Sequence, residues 1–244
     1  MQLFVVPDIH GRTNWQQPVT AFLATATPED RVIFLGDYND SFTVPDAPML
    51  DNFIDVLLLK EREPERVILL LGNHCFPYLF DPSFRCSGFR PELAPALHLL
   101  FRKHQHFFHV ACQFGPYLFT HAGVSDMWLE ANRLAILVLT GATIGNLHLP
   151  TVLNQLLQTD RGRKILWQVS SYNGGRDGVD GPLWVRPRHL ERGLLPGLIQ
   201  VVGHTAQRHI VREVDQTSHT GLILVDCHDH SPTEFLALET GMFI

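Results

Sequence analysis

No apolar run in the 244-residue chain reaches the roughly 18–20 residues that a membrane span needs, so no membrane attachment is expected. Positive charge is also in short supply. Lys and Arg number 19 against 25 Asp and Glu, a formal net charge of −6. That balance argues against sequence-independent nucleic-acid binding, which needs a cationic surface to displace counterions. Cysteine is scarce: Cys75, Cys86, Cys112 and Cys227 form no Cys-x-x-Cys pair and no regular spacing. A disulfide framework or a thiolate zinc module would need such spacing, so the thiols are read as reduced. Repeats, a linker and a composition break are missing as well, and residues 1–244 read as one domain. The first strand-like run begins at Gln2 and leaves no room for a signal peptide, so a cytoplasmic location is expected.

What the chain does have is apolar material, 45% of its residues, which marks a globular protein with a real core. It also has a recurring local design. Val67 to Leu71 ends abruptly in Gly72-Asn73-His74-Cys75. Leu3 to Val6 runs into Pro7-Asp8-Ile9-His10-Gly11, and Val32 to Leu35 into Gly36-Asp37-Tyr38-Asn39-Asp40. Tyr117 to Thr120 runs into His121-Ala122-Gly123, and Leu198 to Val202 into Gly203-His204-Thr205. Each reads as a buried strand delivering polar side chains at its carboxyl end, where ligands of α/β sheets collect.

Taken in order, the pattern opens β-α-β-α-β. Strands are expected over Gln2–Val6, Arg31–Leu35 and Arg66–Leu71. Helices are expected over Trp15–Ala26, capped by Asn14 with Pro18 in the first turn, and over Met49–Arg62. This alternation predicts a parallel sheet covered by helices. Asn73 to Arg90 and Ser170 to Arg188 are loops too long to be mere connections. Further helices are expected from Pro91 to His104, Ser125 to Leu139 and Thr151 to Gln168. Phe107–Cys112 and Pro116–Thr120 suggest a hairpin. Late strands at Ile199–Val202, His209–Val214, Gly221–Val225 and Glu234–Leu238 suggest a second sheet packed on the first.

Asp8, His10, Asp37, Asn73, His121 and His204 together offer carboxylate, imidazole and amide donors. That set suits two divalent cations, manganese first, with iron or zinc accepting the same donors, and not a structural thiolate zinc. Asp37 is the natural bridge. Two ions roughly 3.5–4 Å apart can hold a hydroxide and polarise a phosphoryl oxygen. His74, next to Asn73, could then protonate the leaving oxygen as general acid, and Asp40 could hold its imidazole.

The order Asp-x-His-Gly, Gly-Asp-x-x-Asp, Gly-Asn-His, His-Ala-Gly and Gly-His-Thr resembles the calcineurin-like metallophosphoesterases, nearest their phosphoprotein phosphatase branch. The likeness spans residues 4 to 205. It implies an α/β fold in which two mixed β-sheets pack as a sandwich flanked by helices, four layers in the order αββα. It implies that Asp8, His10 and Asp37 hold one metal and that Asp37, Asn73, His121 and His204 hold the second, with His74 and Asp40 as the acid pair. Gly181 to Arg186 resembles a segment of bacterial, Shewanella-like phosphatases, which implies that Arg186 grips phosphate through its forked guanidinium. Cys227 to His230 would fall on a hairpin turn. Two departures stand out. Asp40 is followed by Ser41 and Phe42 where the branch has Arg-Gly, and Cys75 stands where it has Glu. Arg85 or Arg90 could supply the lost arginine. Cys75 reads as packing. Phe84, Phe89, Trp184 and Tyr172 read as core, or as a platform for an aromatic leaving group.

The function expected is a dinuclear metal-dependent phosphomonoesterase, a protein phosphatase with Ser/Thr or Tyr open. The rivals are a hydrolase of dinucleoside polyphosphates or other small phosphoesters, and an inactive scaffold. Intact ligands together with His74 and Asp40 speak against the scaffold.

Overall fold

The computed structural model describes residues 1–81, 83–143 and 148–240. Pro82, inside the expected loop from Asn73 to Arg90, lies outside them. Short apolar runs become strands of two to five residues in two mixed sheets. The first has the order β10-β1-β2-β3-β4, built from Leu236–Glu239, Gln2–Val6, Arg31–Phe34, Val67–Leu70 and Phe108–His109. The second has the order β5-β6-β7-β9-β8, built from Ala111–Phe114, Tyr117–Thr120, Ile199–Val202, Thr220–Leu224 and Val211–Asp215. Strands β1 to β4 are parallel, and β10 joins antiparallel to β1. In the second sheet β6, β7 and β9 are parallel, with β5 and β8 antiparallel at its edges.

The period-two alternation of a strand decides which face each residue serves. Leu3, Val5, Ile33, Leu35 and Leu70 point to the second sheet and meet Phe119, Ile199, Val201 and Ile223. Val6, Val32, Phe34, Val67 and Leu69 point the other way, toward Val19 of α1 (Gln16–Thr25) and Phe53, Val56 and Leu57 of α2 (Asp46–Arg62). The outer face of the second sheet is covered in part by Leu190 of a short helix, Pro187–Leu190, packed on Val202, Leu222 and Leu224. The central strands are thus buried on both faces, β7 entirely, which is why they read as near-continuous hydrophobic runs.

Several expectations are corrected. Asn14 does not cap α1; its amide donates to the Pro232 carbonyl, and no side chain caps that helix. The expected hairpin forms, but between Ala111–Phe114 and Tyr117–Thr120, and the stretch from Phe107 to Cys112 is not a single strand. It divides at Val110 into β4, paired with β3, and β5, paired with β6, so it passes from one sheet to the other. The expected helix from Ser125 to Leu139 breaks at Asn132 into Asp126–Ala131 and Arg133–Thr140. The one from Thr151 to Gln168 breaks into Leu149–Leu156 and Asp160–Trp167, because Thr159 caps the second piece through Gly162 N at 3.0 Å. The helix expected from Pro91 begins at Ala94, and a short one, Phe76–Leu79, forms within the 73–90 loop. The last strand joins the first sheet rather than the second. Leu236 and Leu238 still reach the core between the sheets, but beside β1. Residues 227–230 accordingly lie on a crossover between sheets and not on a hairpin turn. No helix among the described residues is long and apolar enough to cross a membrane.

Candidate metal centre

Strand register brings the polar strand ends to one edge. Val6 pairs with Phe34 and Phe34 with Leu69, so Asp8, Asp37 and Asn73 leave three parallel strands at nearly one level. Phe119 pairs with Val201, which places His121 and His204 side by side on the second sheet. The backbone is forced there. His10, Asp37, Asp40 and His204 all hold positive φ, between 45° and 66°, a conformation that costs non-glycine residues energy and clusters at functional sites.

The glycines of the motifs are there for space. A Cβ on Gly72 would stand 2.0 Å from Asp37 Oδ1, and one on Gly203 would stand 2.1 Å from Asp8 Oδ1. Each glycine lets a carboxylate lie against the backbone.

His121 anchors the second-sheet side. It is fully buried, and its Nδ1 donates to the Leu35 carbonyl at 3.0 Å. In the neutral ring that hydrogen bond leaves the Nε2 lone pair free for a cation. Around that nitrogen stand Asn73 Oδ1 at 2.9 Å, His204 Nδ1 at 3.2 Å and Asp37 Oδ2 at 3.3 Å. This convergence of electron-pair donors fits a cation better than it fits hydrogen bonding. The second ring nitrogen fixed by a carbonyl is the usual support for a metal-binding histidine. On the other side His10 Nδ1 donates to the Asn39 carbonyl at 2.8 Å, leaving Nε2 close to Asp37 and His74. Asp8 accepts from the His204 backbone N–H at 3.1 Å through each oxygen. The donors present thus fit divalent metal ions: His10, Asp37 and His74 gather in one group and Asp37, His121 and His204 in a second, so Asp37 is shared.

The electrostatics ask for positive charge in the same place. Burial opposes ionisation of Asp37, yet His121, His74 and His10 hold its carboxyl far below the usual range. Burial pushes Asp8 up to about 6, with Asp37 adding to the rise. Burial would lower His121, but Asp37 and Asp8 hold it up at about 9. Burial, His121 and Arg186 push His204 well below its ordinary value.

His74 stands beside this group with its Nε2 4.0 Å from Asp37 Oδ2. Its backbone N–H donates to Asp37 Oδ1 at 2.9 Å, and its Nδ1 bonds Asp40 Oδ2 at 3.0 Å. Asp40 is buried and its other oxygen accepts from the Tyr78 hydroxyl. Tyr78 in turn accepts from the Arg90 backbone N–H at 2.9 Å and stacks on Phe89 at 5.0 Å. Burial would lower the His74 pKa, but Asp37, Asp40 and Cys86 hold it well above its ordinary value.

The three arginines occupy different settings. Arg186 Nη1 donates to the His204 carbonyl at 3.0 Å and Thr205 Oγ1 at 3.1 Å, so it borders the cluster. Arg90 turns back to the Ser41 carbonyl and to Asp46. Arg85 lies over the Phe89 ring at 5.1 Å. Cys75 is fully buried, its Sγ accepting from Gly72 N at 3.4 Å. Phe84 packs on Phe76 and Trp167, and Trp184 on Trp167 and His204. Tyr172 is half exposed in an open groove of about 640 Å³ that Arg186, Arg188, Thr205 and Gln207 also line.

Three residues escaped the sequence reading. Tyr78 and Cys86 approach from the 73–90 loop, where no periodicity announces them. Asp226 carried a visible signal, since it ends the apolar run Leu222–Val225. Val202 pairs with Leu224, so Asp226 leaves β9 level with His204. Burial and Asp8 push its carboxyl up to about 8.

Residues 1–191 match the calcineurin-like phosphoesterase family. Among solved structures, the chain is similar to a cold-active protein tyrosine phosphatase at 16% identity and a TM-score of 0.54, over 98% of this chain and 73% of that one. It is also similar to a protein serine/threonine phosphatase from Saccharomyces cerevisiae, described as similar to human phosphatase PP5. There the identity is 18% and the TM-score 0.51, over 93% and 67% of the two chains. At such identities the likeness is one of fold. Comparison with curated proteins finds no match.

Proposed function

We propose, from the premise that the chain belongs to the calcineurin-like phosphoesterase family and is a metal-dependent phosphoester hydrolase, that it removes phosphate from phosphorylated protein side chains. The observation that supports hydrolysis at this edge is the convergence of Asn73 Oδ1, His204 Nδ1 and Asp37 Oδ2 on His121 Nε2, with the His74–Asp40 pair alongside; the protein substrate is argued from the open groove beside Arg186. Asp8, His10 and Asp37 would hold one divalent cation, and Asp37, Asn73, His121 and His204 the other. When bound, the ions supply Lewis acidity to the phosphoryl oxygens and acidify water.

The chain's own residues supply the rest. Arg186, held by the His204 carbonyl and Thr205, offers its remaining N–H donors to phosphate oxygens. Asp40 fixes the His74 ring through Nδ1, so that the Nε2 proton faces the reacting edge and passes to the leaving oxygen. Tyr78 fixes Asp40 in turn. The groove beside Arg186 is open rather than enclosed, which suits a side chain still attached to a polypeptide.

The test is hydrolysis of p-nitrophenyl phosphate by metal-stripped protein with and without Mn²⁺, beside His74→Asn. Metal-dependent turnover that this substitution cuts by roughly 10²–10⁴-fold is expected of a lost general acid. Phosphopeptides are then compared with diadenosine tetraphosphate. Faster turnover of the dinucleotide would replace the protein-substrate reading, and metal-independent turnover would overturn the site.

A further inference from the structure

Cys86 carries no step of the reaction described above, yet its Sγ is 3.3 Å from His74 Nδ1. The same nitrogen is 3.0 Å from Asp40 Oδ2. One thiol, one imidazole and one carboxylate therefore meet on the face of the His74 ring turned away from Asp37, with all three donor atoms within 4.8 Å of one another. Tyr78 occupies the other oxygen of Asp40, so Oδ2 is the one turned toward the group. Cys86 is only partly buried, which leaves a path from solvent.

We propose that Asp40, His74 and Cys86 form an inhibitory site for zinc, separate from the cations that the strand-end residues would hold. The donor chemistry differs between the two places. The strand ends offer carboxylates, imidazoles and an amide, which any of several divalent ions accept. The group at Cys86 includes sulfur, and sulfur with imidazole and carboxylate selects zinc over manganese. The spacing also fits. Bonds of roughly 2.0–2.2 Å to nitrogen and oxygen and about 2.3 Å to sulfur give tetrahedral edges near 3.4 Å and 3.6 Å. The observed 3.0 and 3.3 Å need a relaxation of only a few tenths of an ångström. Three protein ligands leave the fourth position to water, as in zinc sites that keep an open position.

Binding replaces the proton on His74 Nδ1 and the proton on Cys86 Sγ with one Zn²⁺, and both protons go to solvent. The Nδ1–H bond to Asp40 that orients the ring is lost. A ring held through Nδ1 cannot give up its Nε2 proton and remain a neutral imidazole, so transfer to a leaving group stops. The inhibitory consequence rests on His74 being the general acid; the binding site itself does not.

The experiment uses protein loaded with excess Mn²⁺ and compares wild type with Cys86→Ser and Cys86→Ala. Zinc is titrated against p-nitrophenyl phosphate turnover while bound manganese is counted. In parallel, Cd²⁺ is titrated as a spectroscopic stand-in for zinc, and the ultraviolet thiolate-to-metal band is followed. Wild type should lose turnover while keeping its manganese, and both variants should need at least about tenfold more zinc for the same inhibition, since loss of even a group that only supports a ligand costs that much. The cadmium band should appear in wild type and vanish in both variants. Equal zinc sensitivity in all three proteins, manganese loss in step with inhibition, or a band that persists without Cys86 would overturn the proposal. If manganese-loaded wild type shows no turnover at all, the phosphatase reading fails, and the cadmium band alone still decides the site.

Discussion

His228 keeps a ring nitrogen without a partner. Its Nε2 donates to the Glu234 carbonyl at 3.1 Å and its ring packs on Phe235, but Nδ1 is buried and unbonded. A proton added there would find no acceptor. Burial accordingly pushes the His228 pKa down from 6.5 to about 4. The unfolded chain takes up this proton near its ordinary value and the folded chain only near 4, so the unfolded state binds more protons in between. Stability is complete above the ordinary value and is lost as pH falls through that window. The gap corresponds to roughly 3 kcal/mol. Urea midpoints of chelator-treated protein should fall between about pH 7.5 and about pH 4.5, and His228→Gln should flatten part of that slope. Parallel slopes in the two proteins would refute the assignment. The residue illustrates what sequence hides. The run Cys227-His228-Asp229-His230 looks metal-like, yet its first histidine is half of a hydrogen-bonded core contact. The candidate ligands were legible for the opposite reason, since each ends an apolar run and needs no tertiary knowledge to be noticed.

At the scale of elements, each candidate ligand depends on a strand stopping at the right residue. Gly72 ends the β3 segment where any side chain would strike Asp37 and His121. Gly72→Ala should leave a folded protein, because β3 itself is untouched, but Asp37 must move to admit the methyl group. Metal analysis should find fewer than two ions per chain, against two in wild type, with the far-ultraviolet dichroism retained; full occupancy would show that the edge yields more than its contacts suggest. The central strands were readable from apolar runs because both of their faces are covered. Helix breaks were not. Asn132 donates to the Trp128 carbonyl and to Gln168, and Thr159 caps the helix after it, so two continuous apolar patterns each became two helices. Sheet membership was equally hidden: β4 and β10 carry the same apolar alternation whichever sheet they join, and only the crossing at Val110 and the pairing with β1 decide it.

For the whole molecule, the candidate metal centre is a joint between sheets. Asp8, His10, Asp37 and Asn73 leave the first sheet, and His121 and His204 leave the second. Direct bonds across the joint include His121 to the Leu35 carbonyl and the His204 backbone to Asp8. Without cations, Asp8 and Asp37 face each other, and His121 carries the compensating charge. Cations would relieve that arrangement and tie the sheets together at their polar edge, complementing the apolar contact of Leu3, Val5 and Ile33 with Phe119 and Val201. An ion that binds the folded state alone stabilises it by about 2.7 kcal/mol at one hundred times its Kd. Adding Mn²⁺ to metal-stripped protein should therefore raise Tm by several degrees, in proportion to the logarithm of its concentration. Asp37→Asn, which removes the carboxylate common to both ligand groups, should abolish most of that rise while His74→Asn leaves it intact. Equal rises in all three proteins would mean that manganese stabilises the chain from somewhere else, and that the strand ends do not hold it.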